Sequence, residues 1–572
     1  MNFCFATSLQ RKSVQIGFVA ILVSGLSAQV SDLRPRVGVP EDWTHHRMKF
    51  SSAFLRQHPE IAAREPRAAA QLYREAFAQA QAQMGRVLPA AQTASSDTLS
   101  PHRDWSVPLG GGRLGFGQFP AKWNGDPTAA PSCTRDFVVY PVTTPGVTGG
   151  QPSIVGLNSL YANSSGSALC GPPTFPFNQP NFLFSYNTNT ISNGRITTSP
   201  VLSIDGKKVA FVETTPASGT KSAVFHVLTI PPPTGPQQLT ATPSSLPPAG
   251  ALKSVTIAAM SDTRSSPWVD YTSDTAYVGL DDGKLYKITG VFNGTPTVVM
   301  TAPWPITINL GSFLASPVLD STTGNIFLGA GNGRLYTVNV NTPGPVTAIQ
   351  VGKAGSSTPG IFDSVMFDRT GATVFAVTAN DNVMTGAAVV QVSATSPFTV
   401  MSRVGIGLGN FGGASINLYD GDFDNNYFNS PSTGHMLICG TGAGDTIPNR
   451  YLLNFDASGI LQPGSAPVPV ATATAATPPV CSPVTEYFNP HLSPPGTDFF
   501  FWGVTKNCAG HAAGCVMALT NESTLTTVGV SGGTSGIIID NDYVTLTGGS
   551  SIHFSSEAAP NIAVKLTQQG LQ

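Results

Sequence analysis

One pattern, stated twice at a separation of 50 residues, limits the folds open to this chain more than any other feature. Ser266-Pro267-Trp268-Val269-Asp270, then Val278-Gly279, then Gly283-Lys284-Leu285-Tyr286-Lys287-Ile288, returns as Ser316-Pro317-Val318-Leu319-Asp320, Leu328-Gly329 and Gly333-Arg334-Leu335-Tyr336-Thr337-Val338. Short β-rich runs with a glycine turn, repeating at this period, cannot bury their faces alone; they stack side by side as the blades of a β-propeller. Each unit reads as an inner strand ending in Asp, a second strand, a tight turn at Asp282-Gly283, and a third strand.

The same ruler finds eight units over residues 104–572, so the expected fold is all-β, a seven- or eight-bladed propeller with eight favoured. Seven blades stand if the first and last strand sets share one. The first unit holds 136–140, 154–157 and 182–186; in the sixth, residues 416–420 read as the inner strand. The last lacks an outer strand, and Trp105-Ser106-Val107, upstream of the first, has the character to supply it. Pairing the two ends removes an exposed sheet edge. Composition agrees: 59 glycines, 47 prolines and only 11% charged residues suit many short strands joined by turns.

Ahead of the ring, residues 1–28 have the form of a secretory signal: Arg11-Lys12, an apolar run over 14–23, then Ser24-Gly25-Leu26-Ser27-Ala28. A retained membrane anchor is the alternative reading; no later segment is apolar enough to cross a bilayer. Residues 29–89 read as a partly helical arm and 90–103 as a linker. The helix is expected over 65–84, with Pro66 in its first turn and Leu72, Phe77 and Met84 as its stripe. Composition favours a semi-ordered spacer over an arm packed on the ring. Its most distinctive portion is Glu41-Asp42-Trp43-Thr44-His45-His46-Arg47.

Over residues 30–89 nine Lys or Arg stand against six acids, and over 90–572 nineteen stand against twenty-six. The body is mildly acidic and has no basic stripe, which argues against nucleic acid as a partner. A monomer is expected.

Without Cys4, which leaves with the signal, six cysteines remain, an even number that suits disulfides in an exported protein. Nearest neighbours fall within one unit or at its edge, giving Cys133 with Cys170, Cys439 with Cys481, and Cys508 with Cys515. The competing reading is a metal held by Cys508, His511 and Cys515.

The Ser-Pro-x-x-Asp strand followed by Val-Gly-x-x-Asp-Gly-Lys-Leu-Tyr-x-Ile resembles the repeat of quinoprotein-like propellers, found in pyrroloquinoline-quinone dehydrogenases and in outer-membrane assembly scaffolds. Ser203-Ile204-Asp205-Gly206-Lys207-Lys208-Val209-Ala210-Phe211 is similar to the turn of TolB-type repeats, and with the arm the whole looks like a secreted bacterial propeller. The resemblance implies the fold and carries no catalytic residue across. Quinone dehydrogenases have adjacent cysteines and periodic Gly-x-x-x-Trp motifs; neither occurs here, nor does Cys-x-x-Cys-His for covalent haem.

Asp420-Gly421-Asp422-Phe423-Asp424 is the densest oxygen-ligand cluster, and Asp420, Asp422 and Asp424 are the candidate ligands for calcium; an acidic turn explains the run equally. Asp270, Asp320, Asp368, Asp420 and Asp540 recur at the expected inner-strand ends, where they either converge at one mouth of the channel or cap turns. His45, His46, His491 and His511 are further suggestive side chains. The leading expectation is an exported propeller that binds a protein or an extracellular polymer, with no cofactor. A carbohydrate-active hydrolase or lyase using the channel-mouth aspartates is the alternative; a structural envelope scaffold and a quinone-dependent dehydrogenase follow.

Overall fold

In a computed structural model the chain forms eight four-stranded antiparallel blades arranged in sequence around an axis. The structure describes residues 39–69, 72, 101–125, 131–162, 169–170, 179–215, 221–233, 240–353, 360–411, 414–441, 447–472, 478–489, 496–540 and 550–568. The inner strands of blades one to eight are Ala121–Asn124, Val201–Leu202, Trp268–Asp270, Val318–Asp320, Met366–Asp368, Asp422–Phe423, Thr485–Asn489 and Ile538–Asp540. In blade one the run at 136–140 is the second strand, because Ala121–Asn124, which the sequence reading does not include, pairs inside it. In blade six pairing starts at Asp422 opposite Leu437, so residues 416–420 lead into the strand instead of forming it.

The repeat has a physical explanation in each of its parts. Its leading serine ties neighbouring blades: the backbone N–H of Phe119 donates to Ser199 Oγ, that of Ser199 to Ser266 Oγ, and that of Ser266 to Ser316 Oγ, at 2.8–2.9 Å. The turn glycine is required by its backbone. Gly283 has φ +80°, and a Cβ there would run into the carbonyl of Asn309. Four residues after the turn Asp or Asn comes the tyrosine that closes it, Tyr286 Oη donating to Asp282 at 2.8 Å and Asn332 Nδ2 donating to Tyr336 Oη at 2.7 Å. Leu285 and Leu335 are fully buried between blades; burial of a leucine side chain is worth about 1.5–3 kcal/mol.

The ring closes as expected. His102–Pro108 is the outer strand of blade eight, with Trp105 opposite Lys565 and Val107 opposite Ala563. Lys565 Nζ lies 2.8 Å from Asp104, and Trp105 Nε1 donates to the carbonyl of Leu160 at 2.9 Å, so the seam is fastened by charge and by packing.

The arm departs from expectation, because residues 39–49 lie inside the ring. Val39–Glu41 pairs antiparallel with the inner strand of blade one, and Met48–Lys49 pairs parallel with that of blade five. Those blades face each other across a ring of eight. Between the two strands Trp43–His46 forms a 3-10 turn capped by Asp42, which accepts from the backbone N–H and the hydroxyl of Thr44. Short helices follow at Ser52–Gln57, capped by Ser51, and at Pro59–Arg64, opened by Pro59. Residues 66–69 are helical with Pro66 first, while Phe77 and Met84 lie outside the described residues.

Candidate functional site

The channel is where a propeller's inner strands bring their side chains together, and here the arm occupies it. The chain rises along blade one, turns at Trp43–His46 and descends along blade five. Trp43 is buried edge-on against Trp268 of blade three at 5.7 Å, and His46 stacks on Phe119 at 5.0 Å. Burial, together with the nearby Lys49 and Arg47, holds His46 well below the usual histidine range, so it is neutral at pH 7. Arg47 Nη2 donates to both oxygens of Asp363, at 3.2 and 3.1 Å, and its Nη1 pairs with Asp420. Lys49 Nζ lies 2.7 Å from Asp422. On the other flank Arg67 donates to Thr44 and Glu65 and lies over Trp268 at 4.7 Å. The basic arm thus meets the acidic ring at buried carboxylates.

Of the two readings open for the five aspartates, convergence at one mouth fails and turn-capping holds for three. Asp270, Asp320 and Asp368 end their inner strands and cap turns: each accepts the backbone N–H two residues on, at 2.8–3.0 Å. Asp540 ends its strand too but faces Lys122 of blade one at 2.9 Å, with His553 at 3.7 Å. Asp420 precedes its inner strand and therefore lies at the opposite end of the channel, beside Asp363. Blade six places Asp424 at the turn-capping position instead, accepting from the backbone N–H groups of Tyr427 and His435.

Asp420, Asp422 and Asp424 consequently turn to different partners: Arg47, Lys49, and the turn with His435. Among the described residues the group whose ligand atoms lie within 4.8 Å of one another is Asp424, His435 and Glu522. Close by, Glu486 is pushed well above the carboxylate range by burial and by the neighbouring acids Asp498 and Asp422, and Asp498 is raised to about 6, chiefly by burial.

At the end of the channel where the inner strands begin, four successive blades contribute Arg264, Phe313, Phe362 and Tyr419 to the mouth. Arg264 lies over Phe313 at 4.1 Å, and Phe362 meets Tyr419 edge-on at 6.0 Å. Asp363 and Asp420, the acids that hold Arg47, directly follow Phe362 and Tyr419 in sequence, so this rim sits over the arm's turn. Arg264 is 42% exposed, lies over Phe362 as well at 5.5 Å, and its pairing with Asp281 is long, 3.8 Å. Two small clefts, one of about 10 Å³ beside Tyr419 and one of about 40 Å³ beside Glu522, have room for a water molecule and not for a substrate.

The cysteines form three disulfides, Cys133–Cys170, Cys439–Cys481 and Cys508–Cys515, with Cα separations of 5.6, 6.2 and 6.1 Å. The first ties two loops of blade one, the second ties blade six to the entry of blade seven, and the third spans a hairpin of blade seven. Both thiols of the alternative metal site are consumed by that last bond. His511 closes the hairpin through its backbone, exchanging N–H and C=O with Cys508 at 2.7 and 3.2 Å.

No protein-family model matches the chain, and no curated protein sequence matches it. Solved structures do. Sqt1 from Saccharomyces cerevisiae is 9% identical over 81% of this chain and 98% of its own, with a TM-score of 0.45. BamB from Moraxella catarrhalis is 11% identical over 82% of this chain and 99% of its own, with a TM-score of 0.40. The propeller assignment itself rests on the strand order of the eight blades.

Sequence reading missed the arm's cations Arg47, Lys49 and Arg67 and the rim set Arg264, Phe313, Phe362 and Tyr419. A signal for the first was present in the surplus of basic residues in the arm over an acidic body. The rim residues lie in irregular connections with no shared motif, so no period marks them. His491 lies outside the described residues.

Proposed function

We propose that this chain is an exported propeller that serves as a binding scaffold, taking a protein or an extracellular polymer on the face bearing Arg264, Phe313, Phe362 and Tyr419. The observation that carries the reading is the occupied channel. The sequence-identified carboxylates are answered by Arg47, Lys49 and Lys122 or spent on turns, so none of them stands free beside a pocket as acid–base chemistry on a glycoside requires. The rim offers the half-buried rings of Phe313 and Phe362 with the partly exposed Arg264 guanidinium over them, side chains of the kind that concentrate binding energy in interfaces. Three disulfides support an oxidising compartment, in keeping with the signal-like residues 1–28. No helix among the described residues is long and apolar enough to cross a membrane.

Co-sedimentation of the purified chain with insoluble polysaccharides, and surface binding to envelope proteins, test the proposal. Arg264→Ala combined with Phe313→Ala is expected to weaken binding at least tenfold with the melting temperature unchanged. Turnover of a polysaccharide that disappears in Asp320→Asn would replace the scaffold reading with the hydrolase.

A further inference from the structure

We infer that Asp424, His435 and Glu522 form a site for one divalent transition-metal ion of the zinc type at the seam between blades six and seven. His435 Nδ1 lies 3.2 Å from Asp424 Oδ2 and 2.9 Å from Glu522 Oε1. Zinc holds nitrogen and oxygen ligands at roughly 2.0–2.2 Å in a tetrahedron, which sets neighbouring ligand atoms about 3.3 Å apart. The side chains therefore stand close to metal-ligand spacing already, and a small outward shift of Glu522 completes it.

The surroundings orient the ligands. Asp424 is 2% exposed, and its Oδ1 accepts the backbone N–H groups of Tyr427 and His435 at 2.9 Å each, which fixes the carboxylate and aims Oδ2 at the histidine. Blade six contributes Asp424 and His435, and the tight turn between the outer strands of blade seven contributes Glu522. His435 and Glu522 are 27% and 20% exposed, which leaves an approach from solvent. A cleft of about 40 Å³ lined by Glu522, Arg450, Leu437 and Val468 opens beside them, space for a water as fourth ligand. Arg450 is the cation facing Glu522, and Asp498 is the further acid on the same side. One nitrogen with two carboxylates, and one open position, suits a borderline-soft ion better than calcium, which takes six to eight oxygens. On binding, the ion takes the place of the proton that His435 Nδ1 shares with the carboxylates.

The full chain, stripped with chelator, titrated with zinc chloride and passed through gel filtration, is expected to retain one equivalent and to melt several degrees higher. His435→Ala is expected to retain none and to show no thermal response. Glu522→Gln, an exposed-side change of the same shape, is expected to weaken binding at least tenfold and keeps the test open if His435→Ala does not fold. A wild-type chain that emerges free of zinc, or a His435→Ala chain that keeps its equivalent, overturns the site. Stabilisation by calcium that persists in His435→Ala and is lost in Asp424→Asn overturns the metal class.

Discussion

The two ends of the channel handle their carboxylates differently. Where the inner strands end, Asp270, Asp320 and Asp368 accept backbone N–H groups two residues ahead of them, so each acid caps its own turn, Asp368 also taking the hydroxyl of Tyr427 from blade six at 2.7 Å. Where the strands begin, Asp363 and Asp420 are satisfied by Arg47, which is 316 residues from Asp363 in the chain. The first arrangement repeats because it is local. The second occurs once, because the arm carries a single Arg47, which meets the acids of blades five and six. The difference teaches that the ring's repeat describes its turns while its centre depends on a segment that carries no repeat.

Arg47→Met is the strongest way to break this contrast. It strands two buried acids, and removing one partner of a buried pair costs about 3–5 kcal/mol. The expected result is a large fall in the urea midpoint, together with early proteolysis within residues 39–69. Adding Asp363→Asn and Asp420→Asn should recover part of the loss, since the cost lies in the uncompensated charge. An Arg47→Met chain as stable and protease-resistant as the parent would mean the arm contributes nothing to the ring.

The seam between blades eight and one is a second non-local pairing, and pH sharpens it. Burial brings His553 down to about 4 against the pull of Asp540. Asp540 itself is pushed up by burial, but Lys122 and His553 outweigh this and bring it to about 2. Both folded values lie below the unfolded ones, so both groups contribute stability at neutral pH. The His553 share is lost as pH falls from about 6.5 to 4, and the Asp540 share from about 4 to 2. The histidine contribution is on the order of 3 kcal/mol. His553→Gln is expected to flatten the melting curve between pH 6.5 and 4 relative to wild type; an unchanged slope would remove His553 from the account.

The disulfides offer a contrast of the same kind. Cys439–Cys481 closes a separation of 42 residues between neighbouring blades, and Cys508–Cys515 a separation of 7 within one hairpin. Restriction of the unfolded chain makes the longer closure worth about 1.5 kcal/mol more. Replacing Cys439 and Cys481 with alanine should therefore lower the denaturation midpoint further than replacing Cys508 and Cys515. The reverse order would show that hairpin geometry, and not loop closure, sets their contribution.

What could be read from the sequence follows the same division between local and distant. The blades, the glycine turns, the closing strand at Trp105 and the three cysteine pairs are signalled by residues near one another or by an even count of like groups. Blade six was read four residues early because Ile416-Asn417-Leu418-Tyr419-Asp420 alternates like a strand and ends in Asp, whereas pairing begins at Asp422. That shift put Asp420 at the wrong end of the channel and hid Asp424 as the true counterpart of Asp320. Composition makes the arm look like a spacer because Ala- and Gln-rich residues fill 65–84, while the anchoring side chains Trp43, Arg47 and Lys49 come earlier. His435 and Glu522 meet across a blade boundary, and no spacing in the chain announces that.

The smallest expected effect tests the local end of the channel. Asp320 Oδ1 accepts the N–H of Thr322 at 3.0 Å and its Oδ2 accepts the hydroxyl of Thr323 at 2.8 Å, with Arg369 at a long 3.5 Å. Asp320→Ala removes two hydrogen bonds at a turn whose edges reach solvent, so water can replace them and the cost should be about 1–2 kcal/mol. Asp320→Asn keeps one acceptor for the N–H of Thr322 and can donate its amide N–H to Thr323 Oγ1, so it should cost under about 1 kcal/mol. Asp420→Ala, by contrast, withdraws one of two anions from a buried guanidinium and should fall nearer the Arg47→Met value. If Asp320→Ala and Asp420→Ala shift the urea midpoint equally, the two ends of the channel do not differ in the way their hydrogen bonds and ion pairs imply.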